Sequence, residues 1–173
     1  MEKIIFLDID GVLATDKEFC TNRIKFRNKN EIAKELNIPY PFNKKAVDVF
    51  NEILDATDAD IVLSSDWRMH WDLDGLDRIF KFNGVKKSPI AMTHKLKRKM
   101  SSDLEDDRLH QIIDFKRQHN LTNWVAIDDL DMSFGLGDHF FLTKSNDGIK
   151  RQNLKEKIIK KLNISSESNK FGK

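Results

Sequence analysis

A single cysteine, Cys20, in 173 residues rules out any disulfide within the chain and suits a reducing compartment. No histidine stands near it in sequence, so it reads as an ordinary small side chain rather than a nucleophile. Long apolar runs are missing too. The stretch Ile4-Ile5-Phe6-Leu7, directly after Met1-Glu2-Lys3, is too short for a signal peptide, and nothing approaches the length of a membrane span. A cytoplasmic protein without a membrane partner is expected. Nor is there a large charge of one sign: Lys and Arg number 30 against 28 Asp and Glu. The net charge of +2 does not by itself point to nucleic acid. Internal repeats and low-complexity linkers are lacking, and nothing marks an obligate protein partner.

What remains is a chain that is 39% hydrophobic and 34% charged, with the size of one domain. Residues 1–164 are expected to form it, with a disordered tail over residues 165–173. Four apolar runs, residues 4–7, 61–63, 124–127 and 140–142, have the length and β-branched character of buried strands. Separated by helical stretches, they predict an α/β fold with a mostly parallel sheet covered on both faces. Between them, Asn43 caps a helix carrying Ala46, Val47, Phe50, Ile53 and Leu54. A second helix over residues 103–119 carries Leu104, Leu109, Ile112, Ile113 and Phe115, with Asn120 at its end. Leu154, Ile158, Ile159 and Leu162 make a third. Residues 14–41, irregular and closed by Pro39-Tyr40-Pro41, read as a small insertion over the strand ends.

Three of these strands run into acidic or hydroxyl residues, and ligands in open α/β sheets bind at the carboxyl ends of strands. Asp8-Ile9-Asp10-Gly11 places two carboxylates on the same side of an extended backbone, with Gly11 able to turn the chain away. Like charges buried together need a shared proton or a cation, and magnesium suits oxygen ligands of this kind. A solvated acidic turn is the plain alternative. Asp128-Asp129 ends a second strand in the same way, which strengthens the case for a metal. Ser64-Ser65 ends a third, where hydroxyls and backbone N–H groups hold phosphate oxygens. A basic residue aimed at the acids would balance them. Arg108, in the helical stretch before the Asp128 strand, could be that residue, although by itself it reads as a surface helix arginine.

The segments Phe6-Leu7-Asp8-Ile9-Asp10-Gly11-Val12-Leu13, Ile61-Val62-Leu63-Ser64, a basic residue and Ile127-Asp128-Asp129 resemble, in order, the four motifs of the haloacid dehalogenase superfamily. The resemblance implies a Rossmann-like three-layer sandwich with a small cap insertion. It also implies Asp8 as nucleophile, Asp10 as general acid and base, and Ser64 as phosphate-binding hydroxyl. Lys95, Lys97, Arg98, Lys99 and Arg108 compete for the basic third motif, and Arg108, twenty positions before Asp128 on the helix leading into that strand, is preferred over Lys95. Magnesium would be held by Asp8, Asp128, Asp129 and the main-chain carbonyl of Asp10. Residues 61–68, running on through Ser65-Asp66-Trp67-Arg68, together with Asp128-Asp129-Leu130-Asp131 and Asn146-Asp147-Gly148-Ile149, resemble a narrower group. These are the dehalogenase-type domains of RNA-repair proteins of the Swiss Army Knife kind and, more distantly, the phosphatase half of polynucleotide kinase-phosphatase. That comparison places Arg68 near substrate phosphate, beside the strand-end hydroxyl of Ser65, and offers Trp67 as a base-stacking or packing residue.

The expected activity is therefore magnesium-dependent hydrolysis of a phosphomonoester through an aspartyl-phosphate, on a nucleic-acid end or nucleotide. A small-metabolite phosphatase and a non-catalytic binding module are the alternatives. The basic run over residues 95–99 would follow an oligonucleotide backbone if it is more than a solvated face.

Overall fold

The computed structural model of the protein describes residues 2–16, 30–94 and 104–167. Strands β1 (Ile4–Leu7), β2 (Asp60–Leu63), β3 (Pro89–Met92), β4 (Trp124–Asp128) and β5 (Phe140–Leu142) form one sheet in the order β3-β2-β1-β4-β5. Every neighbouring pair is parallel, with Ile5 set between Ile61 and Val125 at the centre. The helices are α1 (Glu31–Glu35), α2 (Lys44–Thr57), α3 (Leu73–Phe82), α4 (Leu104–Gln118), the short α5 (Ser133–Leu136) and α6 (Leu154–Glu167).

Alternation along the strands makes two cores. Ile5, Leu7, Ile61, Leu63, Val125 and Ile127 point to one side, where apolar residues of α2, α3 and α6 cover them. Ile4, Phe6, Val62, Trp124 and Ala126 point to the other, under Leu109, Ile112 and Phe115 of α4 and Leu136 of α5. This is the three-layer arrangement expected of continuous apolar strands buried on both faces.

The Asn43 side chain accepts from the Ala46 N–H at the start of α2, and that helix stops at Asp58 in the left-handed region (φ 54°). Helix α4 carries Glu105, Asp106 and Asp107 in its first turn and Lys116 and Arg117 in its last, matching the helix dipole. Asn120 follows at φ 51°.

Strand β3 and helix α3 add to the expected elements. Strand β3 begins at Pro89 on the sheet edge, where no ladder donor is required, and only that residue of the four is fully buried. Helix α1, capped by the Asn30 side chain, lies inside the stretch read as irregular. Helix α6 continues to Glu167, past the point where a tail was expected to begin. Cys20, the basic run of residues 95–99 with the alternative Lys95, and residues 168–173 lie outside the described residues. Among the described residues no helix is long and apolar enough to cross a membrane.

Candidate active site

From β1 the chain fills the sheet outward through β2 to β3, and only later builds β4 and β5 on the other side. The crevice at the carboxyl ends therefore opens beside β1. Hydrogen bonds continue just past the strands: Asp8 N donates to Ile127 O (3.0 Å), Ser64 N to Leu7 O (2.8 Å) and Thr143 N to Asp128 O (2.9 Å). The first residues beyond β1 and β2 are thus held as firmly as the sheet itself.

Asp8 and Asp128 are both almost wholly buried, at 3% and 1% exposure. Between them stands Arg108, whose Nη1 lies 2.9 Å from Asp8 Oδ1 and 3.0 Å from Asp128 Oδ2. Its Nη2 reaches Asp66 Oδ1 at 3.4 Å. Arg108 therefore takes the basic place in the acidic centre. Burial raises the pKa of Asp8 well above the usual carboxylate value, and the charge of Asp128 adds to it, while Arg108 opposes both. Asp128 is pushed up to about 6, again by burial first. Burial works against the Arg108 charge as well, but Asp8 and Asp128 more than offset it and hold the guanidinium protonated.

Asp10 lies in a different environment. The Tyr40 hydroxyl donates to its Oδ1 at 2.6 Å, and Trp67 Nε1 approaches both carboxylate oxygens, at 3.2 and 3.1 Å. Burial raises its pKa, and these two hydrogen bonds hold the rise back. Trp67 is itself buried, edge-on to Tyr40 and Phe42, so its indole serves as a donor and a packing group rather than a free stacking surface.

Asp129 enters through a gap that only glycine leaves. Gly11 sits at φ +70°, and a Cβ there would stand 2.1 Å from Asp129 Oδ2. One oxygen from each of Asp8, Asp128 and Asp129 lies within 4.8 Å of the others. Three ionised carboxylates exceed the single positive charge of Arg108 by two, an excess that one divalent cation would balance. The donors are all hard oxygens, so the set fits magnesium. The Asp10 carboxylate stands outside this group, engaged by Tyr40 and Trp67.

Ser64 Oγ is buried without a hydrogen-bond partner, as a hydroxyl awaiting a ligand oxygen would be. Ser65 Oγ is likewise buried and makes no bond of good geometry, though it lies close enough to Asp8 to help stabilise the charged carboxylate. Arg68 donates from Nη1 to Ser65 O (2.8 Å) and from Nη2 to Gln111 Oε1 (2.6 Å), while its Nε is buried with no partner. Burial and the neighbouring charge of Arg108 lower its pKa.

Tyr40 and Gln111 were not singled out in the sequence. Each meets the site across more than 25 residues of chain, through the Asp10 and Arg68 contacts. Thr143, the polar residue that ends the apolar run 140–142, donates its hydroxyl to Gly11 O at 2.8 Å and ties β5 to the loop after β1. Gly148, at φ +59°, lets the Gly148–Lys150 turn come against the same loop, since a Cβ there would meet Val12 O at 2.3 Å.

No curated protein and no solved structure matches the chain. A family model does, and it runs from the first residue of β1 to the first of α6, taking in every acidic, hydroxyl and basic group of the site. Through that match over residues 4–154 the chain belongs to the family described as the HAD domain in Swiss Army Knife RNA repair proteins.

Proposed function

We propose that the protein is a magnesium-dependent phosphomonoester hydrolase that works in the cytoplasm on a nucleic-acid end or nucleotide phosphate, with Asp8 as nucleophile. The observation that carries this reading is the contrast between two carboxylates two residues apart. Asp8 is paired with a guanidinium beside two further acids, while Asp10 is held by two neutral donors. A site that needed only to bind a cation has no use for the second.

Asp8 attacks phosphorus, the bond to the leaving oxygen breaks, and Asp10 delivers its proton to that oxygen. Asp10 then takes a proton from water, which attacks the aspartyl-phosphate, releases inorganic phosphate and restores Asp8. Ser64, Ser65, Arg68 and Arg108 would hold the phosphoryl oxygens. Asp8, Asp128, Asp129 and the Asp10 carbonyl would hold magnesium, which supplies charge to offset repulsion between Asp8 and the phosphate. The nucleic-acid end is supported by the family, whose description names RNA repair proteins.

The test is a phosphatase screen with magnesium across 3′- and 5′-phosphorylated oligonucleotides, nucleotides and sugar phosphates. A chelator should abolish turnover. Magnesium should also raise the melting temperature of the wild type, and the rise should vanish in Asp129→Asn; an equal rise in that variant counts against the three-carboxylate site. Oligonucleotide turnover should fall more steeply with salt than mononucleotide turnover, because each extra phosphate contact releases counterions. Equal slopes would point to a small metabolite instead.

Asp10 should depend on its two donors. Tyr40→Phe keeps the ring and removes only the O–H. Trp67→Phe removes the N–H together with half of a buried indole, so it also carries a packing cost that its melting temperature should show. Each should lower kcat by about tenfold, the size of a lost hydrogen bond of roughly 1.4 kcal/mol, with KM little changed. The loss should be larger for alkyl than for aryl phosphates, since only the poor leaving group needs the proton. Equal losses on both would mean the rings serve packing alone.

A further inference from the structure

Beside the acidic centre lies an open cavity of about 530 Å³, bounded by the Asp66–Met69 turn, the start of α3, the edge strand β3 and α4. Its size suits a ligand larger than a phosphate ion and about that of a nucleoside. Arg68 borders both spaces: it lines the cavity, and it feels the charges of Asp8, Asp128 and Arg108. Its guanidinium hydrogen-bonds to the neutral Ser65 carbonyl and Gln111, so those bonds leave its charge uncancelled.

The walls are apolar. Seven large hydrophobic residues are exposed among the described residues, and three of them, Ile90 (52%), Met69 (45%) and Leu73 (37%), line this one cavity. Such clustering marks a binding surface more than scattered exposure would. Among the described lining residues the polar side chains are those of Arg68, Thr93, His94 and His119, and none is a carboxylate, although acids are nearly as common as bases in the chain. An anionic ligand is therefore not repelled.

His119 supplies a flat surface. Phe115 stacks on its imidazole with centroids 4.2 Å apart and planes at 28°, and His119 is exposed, at the cavity wall where a second flat group could meet it. Arg108, Gln111 and Phe115 recur at helical spacing along α4, and His119 follows just past its last residue with its N–H on Phe115 O at 3.1 Å, so one face leads from the acidic centre to the cavity.

We propose that this cavity is the leaving-group subsite and takes the nucleoside that carries the reacting phosphate, its base against His119 and the Ile90 wall, its phosphate kept at Arg68. Stacking on a ring is tolerant of base identity, so the subsite selects nucleosides as a class rather than one base. This rests on the phosphatase reading above.

Binding and turnover separate the two. In Asp8→Asn protein with magnesium, calorimetry should find 3′- or 5′-nucleoside monophosphate bound at least tenfold more tightly than inorganic phosphate. Adding Ile90→Glu, at an exposed position, should remove that advantage, and His119→Ala should reduce it several-fold. In the otherwise unaltered enzyme, the same two substitutions should lower the ratio of kcat/KM for the nucleotide to that for acetyl phosphate by at least tenfold and several-fold, respectively. Equal binding of nucleotide and phosphate, or an unchanged ratio in both variants, overturns the subsite and leaves the phosphatase standing. A binding advantage that is lost in the Ile90 variant, in a protein that hydrolyses neither substrate, supports the subsite and overturns the activity.

Discussion

Asp8→Asn should lower phosphatase turnover by on the order of 10⁴-fold or more, the scale seen when a covalent nucleophile is removed. The amide has nearly the shape of the carboxylate but cannot attack phosphorus. It also relieves crowding of charge: Asp8 is buried beside Asp128, and burial with that neighbour raises its pKa. The variant should accordingly fold and melt no lower than the metal-free wild type. Asp10→Asn should be nearly as inactive on alkyl phosphates and less impaired on aryl phosphates, whose leaving groups need no proton. Mass spectrometry of acid-quenched enzyme should show the phosphoryl adduct in Asp10→Asn and none in Asp8→Asn. Activity near the wild-type level in Asp8→Asn would remove the nucleophile from this position.

Much of this site can be read in the chain because its groups sit at the ends of apolar runs. The run 4–7 ends in Asp8, 61–63 in Ser64, and 124–127 in Asp128, and the parallel order of β2, β1 and β4 brings all three ends to one edge. Arg108 was harder to place, because five basic residues compete and a helix pattern does not say which one faces the sheet. Its position between Asp8 and Asp128 follows from α4 packing across the second core through Leu109, Ile112 and Phe115. Tyr40 and Gln111 carry no local signal at all; only the packing of residues distant along the chain aims them at Asp10 and Arg68. Helix α3 was legible in principle, with Asp72 accepting from the Gly75 N–H and Leu76, Ile79 and Phe80 at helical spacing. Strand β3 was not, since a proline start and half-exposed residues erase the signature of a buried strand.

Arg108→Ala should produce the largest loss of stability of any single change at the site. Removing one partner from a buried ion pair costs about 3–5 kcal/mol, because the charges left behind have no counterpart. Here two carboxylates are left, both already shifted upward in pKa by burial. A raised carboxylate pKa means that the folded chain binds more protons than the unfolded one. Stability contributed by the protonated form is thus full below about pH 4 and is lost as pH rises through the folded value, about 6 for Asp128 in the metal-free wild type. Taking away the Arg108 charge removes the group that holds these values down, so the loss should deepen and extend to higher pH. The gap in melting temperature between wild type and Arg108→Ala should therefore be small near pH 4 and wide near pH 7.5. Arg108→Lys, which keeps a charge but not the two-sided reach of the guanidinium, should recover part of the gap. Magnesium should narrow it further by supplying charge to the same carboxylates. Turnover in Arg108→Ala should fall by about 10²–10³-fold, as when a group that stabilises developing charge is removed. A gap of equal width at both pH values would mean that Arg108 supports the fold through packing and not through Asp8 and Asp128.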